Sequence, residues 1–93
     1  MNLCYTDRAK VDLEIAFLWY ERQRSGLGFE FLDCIEGSIR QIIDTPEIYR
    51  FHYRNFRGCV VRRFPFTVFY TVEKAELIIH SVFPNRQNPD TKP

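Results

Sequence analysis

Arg62-Arg63-Phe64-Pro65-Phe66-Thr67-Val68-Phe69-Tyr70 is the stretch on which the reading of this chain turns. From Phe66 onward it is built of aromatic and β-branched residues, which suit a pleated, half-buried surface. The apolar run Leu77 to Phe83 follows after Glu73-Lys74-Ala75-Glu76, a spacing that predicts an antiparallel hairpin. Working outward, strand composition recurs at about 49–54, 58–64, 66–72 and 76–83, which together predict a meander. Asn55-Phe56-Arg57-Gly58 suits one turn, and Pro65 supplies a tight bend or a bulge. In a regular strand Phe66, Val68, Tyr70 and Val72 share one face, with Thr67, Phe69 and Thr71 on the other; Arg62 and Arg63 likewise fall on opposite sides.

Upstream of Pro46 the periodicity is helical. A short strand at about Leu3 to Thr6 precedes a helix whose N-cap is Thr6 or Asp7 and which runs to about Arg24. Ala9, Leu13, Ala16, Phe17 and Tyr20 recur at the spacing of one helix face. Ile15 and Trp19 widen that stripe, so a second element is expected to cover their flank. Ser25-Gly26-Leu27-Gly28 breaks the helix. A second helix over about Gly28 to Asp44 carries Phe31, Leu32, Ile35, Ile39, Ile42 and Ile43 before Pro46 stops it. The predicted fold class is α+β: an N-terminal strand, a two-helix hairpin, then a twisted antiparallel sheet packed by one face on the helices. The segment Pro84 to Pro93 is expected to be an extended or mobile tail.

Ninety-three residues, 45% of them apolar and 16% aromatic, support a single domain over residues 1–93. Charge is unevenly spread. Residues 1–48 hold five Lys/Arg against nine Asp/Glu, whereas 49–93 hold eight against three, so an overall +1 hides halves of −4 and +5. A basic sheet half predicts an anionic partner, either nucleic acid or an acidic protein segment. Cys4, Cys34 and Cys59 are odd in number and widely spaced, which fits buried thiols in a reducing cytoplasm better than a disulfide framework or a zinc site. No apolar run reaches the roughly 20 residues of a membrane span. Glycine-rich phosphate loops and metal-ligand pairs are absent from the sequence, so neither a cofactor nor a metal is expected.

The candidate constellation is Arg50, His52, Arg54, Arg57, Arg62, Arg63 and Arg86. A planar guanidinium grips a phosphate through two parallel bonds and stacks on a base, so arginines interleaved with Phe51, Tyr53 and Tyr70 suit a nucleic acid. The bland alternative is that these arginines guard an exposed sheet against edge pairing and bond to the acidic helices. Of the histidines, His52 lies inside the basic cluster and is the candidate acid or base. His80 alternates with Ile78 and Val82 and reads as a partly buried strand residue. Tyr53 and Tyr70 read as core or rim aromatics or as stacking contacts.

Asp12-Leu13, Trp19-Tyr20-Glu21, Gly26-Leu27-Gly28-Phe29, Pro46, Val61-Arg62-Arg63-Phe64-Pro65-Phe66, Phe69-Tyr70 and Val82-Phe83 to Pro89 carry a family resemblance. In order and spacing, over residues 3 to 89, the chain resembles the RelE/ParE toxin superfamily of type II toxin–antitoxin, or plasmid stabilisation, systems. The resemblance implies a small α+β toxin neutralised by a cognate antitoxin. RelE-like members cut messenger RNA in the ribosome; ParE-like members poison DNA gyrase without cutting RNA. For cleavage, Arg62, Arg63 and Arg86 match charged positions of the family, with His52 or Tyr70 as the proton-handling group. Arg50, Arg54, Arg57 and Tyr70 then line a nucleic-acid or partner surface. The chain departs from the RNA-cutting pattern at Thr67, where many members carry Arg, at Pro84, where a His often stands, and in having no tyrosine after Tyr70. These departures also admit an alternative, a catalytically degenerate toxin fold that only binds an antitoxin-like partner.

Overall fold

The computed structural model describes residues 1–85. Strand β1 (Asn2–Tyr5) leads into helices α1 (Asp7–Gln23) and α2 (Leu27–Asp44), followed by β2 (Phe51–Tyr53), β3 (Phe56–Val60), β4 (Phe66–Glu73) and β5 (Glu76–Pro84). The five strands form one sheet in the order β1-β5-β4-β3-β2.

Local chemistry sets the helix ends. Thr6 is extended, its Oγ1 accepts from Ala9 N at 3.1 Å, and the same hydroxyl donates to His80 O at 3.0 Å. One side chain therefore caps α1 and pins it to β5. Gly26 has φ 92 and offers no side chain to cap α2. The carboxylate of Glu21 replaces that cap by accepting from Gly26 N at 2.9 Å and Gly28 N at 2.8 Å, a negative group on donors that α2 leaves unpaired. Gly28 also lets the helices close, since a Cβ there would stand 2.7 Å from the Phe17 carbonyl oxygen and ring.

The sheet packs one face on the helices around Phe31, Ile35, Ile39, Ile42, Val68, Tyr70, Leu77, Ile79 and Val82, all buried. Tyr20, Phe31, Phe64 and Phe66 form an aromatic cluster beside them, with centroid separations of 4.9 to 6.2 Å.

The meander β2–β5 is antiparallel as expected, and β1, whose pairing the sequence leaves open, runs parallel to β5, with Leu3 opposite Leu77 and Tyr5 opposite Ile79. The sheet differs from the sequence expectation in several places. The first turn of the meander is at Arg54-Asn55, with Arg54 at φ 49, which places Phe56, Arg57 and Gly58 inside β3. The stretch 61–65 is a loop and not strand. Arg63 has φ 74, Val61 N donates to Phe66 O at 2.9 Å, and the excursion drives Phe64 into the aromatic cluster. Alternation along β4 and β5 is broken by a bulge: Phe69 pairs with Ser81 but Tyr70 with Ile79, leaving His80 as the extra residue. Both Ile79 and Val82 thereby face the core, while His80 points to the opposite face with Thr71. Of the cysteines, Cys59 is buried but Cys4 and Cys34 are half-buried. Pro84 belongs to β5, and Asn85 N donates to Pro65 O at 2.8 Å, so the expected tail starts later than Pro84; the rest of it lies outside the described residues.

Candidate functional site

Among the described residues, those singled out by sequence do not meet in one concavity. Arg57 stacks 3.9 Å above the Phe51 ring centroid and donates to Tyr49 O at 2.7 Å and Glu47 O at 3.1 Å. It braces the 45–50 loop and borders a hollow of about 280 Å³ with Pro46, Glu47 and Phe51. Arg63 Nη2 lies 2.9 Å from Glu30 Oε1, a carboxylate shared with Arg24 Nη1 at 3.3 Å. The hydrogen bond from Arg63, then that from Arg24, hold the Glu30 carboxyl below its ordinary range; Glu30 in turn raises the Arg63 guanidinium. Arg62 is exposed, forms no ion pair among the described residues, and shares with Arg63 a hollow of about 310 Å³ over Cys34, Gly37 and Gln41 of α2.

His52 lies on the far side of the sheet, edge-on to Phe69 at 5.4 Å and over Gly58. Arg50 is exposed in the loop before β2, and Arg54 sits 5.2 Å from the Tyr53 centroid in the β2–β3 turn. Tyr70 corrects the expectation of a binding aromatic. It is fully buried, its hydroxyl donates to Pro46 O at 2.6 Å, and burial pushes its pKa up to about 12. Its ring is out of reach of a polyanion, and its hydroxyl proton is engaged by Pro46 O. Arg86 lies outside the described residues. Thr67, which stands where Arg is common, is buried and donates to Asn85 Oδ1 at 2.5 Å.

A second surface was only half legible. The flank of α1 that Ile15 and Trp19 occupy has no covering element among the described residues: Ile15 is 63% and Trp19 54% exposed, with Val11 and Leu18 also open. Beside them runs a groove of about 240 Å³ bounded by Asp12, Ile15, Trp19, Tyr20, Phe66 and Pro84. Its geometry is fixed by Asp12, whose carboxylate accepts from Val82 N at 3.0 Å and so ties α1 to β5. A contiguous apolar surface of this kind on a small protein marks a place for a partner.

The chain matches the family model described as ParE toxin of type II toxin-antitoxin system, parDE, over residues 3–89. It belongs to the ParE toxin family. The ParE assignment covers every element of the fold, and it makes the chain a toxin of the type II toxin–antitoxin class. No curated protein sequence matches it. Among solved structures, the chromosomal ParDE system of P. aeruginosa is similar with a TM-score of 0.75 at 17% identity, covering 92% of this chain and 97% of that one. The intact RelBE toxin–antitoxin complex of E. coli is similar with a TM-score of 0.61 at 13% identity, covering 92% and 98%. At these identities both likenesses concern the fold: an N-terminal strand, two helices and a mostly antiparallel sheet.

Proposed function

We propose that this ParE-family chain inhibits growth by acting on DNA gyrase, that it does so without cutting RNA, and that a cognate antitoxin neutralises it by covering the α1 groove. The observation that carries the target is the dispersal of the arginines. Cleaving RNA through attack of a ribose 2′-hydroxyl needs cations converging on one phosphate and a group beside them to move a proton. Here the hollows bordered by Arg57 and by Arg62 with Arg63 share no lining residue. Arg63 is compensated by Glu30, Tyr70 is sealed in the core, and His52 lies on the other face of the sheet. ParE-like relatives, as a group, poison gyrase, and the family match favours that branch over the ribosome-directed one.

The antitoxin reading rests on the α1 flank. Exposed Ile15 and Trp19 favour an apolar segment that fills the groove between α1 and Phe66, where large rings and aliphatics give most of an interface its energy. The test is induction of the chain in bacterial cells with and without its neighbouring reading frame. Growth should stop with the toxin alone and recover when the neighbour is co-expressed. Unimpaired growth in both cases would sink the toxin reading and leave a partner-binding module without activity.

A further inference from the structure

Of the four glycines, Gly37 is the one whose presence the fold does not explain. Gly26 has φ 92, Gly28 lies against Phe17 and Gly58 against His52, so each answers a backbone conformation or a close approach. Gly37 has neither. It stands inside α2 without a positive φ, and a Cβ added to it would meet nothing within 4 Å. Glycine within a helix weakens it relative to almost any other residue, so local stability disfavours this choice. What Gly37 leaves is space.

That space belongs to the hollow of about 310 Å³ between the flank of α2 and the β3–β4 loop, lined by Cys34, Gly37, Ser38, Gln41, Arg62 and Arg63. Arg63 is committed to Glu30 at 2.9 Å, which leaves Arg62, exposed and without an ion pair among the described residues, as the uncompensated cation. The Gln41 side-chain amide is exposed beside it and makes no hydrogen bond among the described residues. A guanidinium fork holds one carboxylate through two parallel bonds.

We infer that this hollow is the surface by which the toxin grips gyrase, taking an acidic side chain that projects from the target. The inference rests on the gyrase reading and supplies its contact surface. Charge selects the occupant. Arg62 lies in the chain's basic half, yet a single free cation suits one carboxylate presented by a folded protein, whereas a nucleic acid strand brings successive phosphates that need a row of cations and would meet Glu30 at the rim. The antitoxin has its own place, since the α1 groove shares no lining residue with this hollow.

The experiment measures binding of the full chain to purified gyrase by surface plasmon resonance, with supercoiling inhibition scored in parallel. Gly37→Leu fills the hollow from a position where nothing obstructs the side chain, so it should raise the melting temperature while weakening gyrase binding by about 30-fold or more, the loss expected for a central interface contact. Arg62→Ala should weaken binding to a similar extent, and Arg62→Lys, which keeps the charge but not the fork, should restore only part of it. Lys10→Ala removes the same charge from an exposed position of α1 and should leave binding within about twofold. Bound gyrase should also shield Cys34 from iodoacetamide relative to Cys4, read by mass spectrometry of the two peptides. If the wild-type chain binds and poisons gyrase while either Gly37→Leu or Arg62→Ala matches it, or while Cys34 is alkylated as fast in the complex as in the free chain, the hollow is not the contact and the gyrase reading stands. Absence of any wild-type binding would overturn both.

Discussion

Glu30 and Arg63 stand 33 residues apart in sequence and 2.9 Å apart in space, joining the first turn of α2 to the loop between β3 and β4. The contact holds a non-glycine residue at φ 74, a conformation an arginine adopts only when its surroundings impose it. Because the Arg63 and Arg24 hydrogen bonds depress the Glu30 pKa in the folded state, its contribution is present above the ordinary value of 4.5 and is lost as pH falls through the lowered folded value. Glu30→Gln should therefore lower the melting temperature near pH 7 and show a smaller acid-induced drop than wild type between about pH 5 and 3. Both partners are partly exposed, so added salt should narrow the difference between the two proteins. Thermal melts against pH at two ionic strengths check it.

Tyr70 behaves as a core residue with one polar obligation. Tyr70→Phe keeps the ring but leaves Pro46 O without its 2.6 Å donor, at an expected cost of about 1–3 kcal/mol by urea unfolding at pH 7. The folded pKa lies near 12 against an ordinary 10.0, so the neutral phenol's contribution is complete below pH 10 and fades as pH rises toward 12. The variant should lack that alkaline loss.

Two glycines should respond differently to an added methyl. At Gly28 a Cβ meets the Phe17 backbone oxygen at 2.7 Å, which cannot yield without parting the helices. Gly28→Ala should cost about 2 kcal/mol even after the usual helical gain of alanine. At Gly58 the clash is with the His52 ring at 2.7 Å and the Thr67 methyl at 3.0 Å. His52 is exposed and can swing aside, so Gly58→Ala should change stability by less than about 1 kcal/mol. Parallel denaturant titrations of the two variants decide the matter.

The α1 flank should govern partner binding without governing the fold. Trp19→Ala removes a half-exposed ring and should leave the unfolding midpoint nearly unchanged, while weakening association with the co-expressed antitoxin by at least about 2 kcal/mol, or some thirtyfold. Calorimetry on the purified pair measures the affinity, and a variant that binds as tightly as wild type would move the antitoxin elsewhere.

Much of this architecture is legible in the residues. The helices fall within one residue of the sequence reading because their ends are written locally, in Thr6, Gly26 and Pro46. What stays hidden depends on contacts made at a distance. Nothing around Arg63 announces a left-handed residue; Glu30 holds it there from another element. The parallel pairing of β1 with β5, which the Thr6 hydroxyl extends by bonding to the carbonyl of His80 74 positions away, joins segments that no local pattern links. The bulge at His80 reverses which residues of β5 face the core, and no glycine or proline marks it. For the candidate site, composition records charge but not the carbonyls and carboxylates that bind Arg57 and Arg63. Ile15 and Trp19 were visible as an over-wide apolar stripe; that no element among the described residues covers them is a tertiary fact.

The most direct test of the proposed activity is to incubate the purified chain with DNA gyrase, ATP and relaxed plasmid, and in parallel with a translating extract, then map DNA and messenger ends. The predicted result is gyrase-dependent double-strand breaks, or loss of supercoiling, with intact messenger. Unperturbed gyrase together with new messenger ends that appear only on translating ribosomes would contradict it.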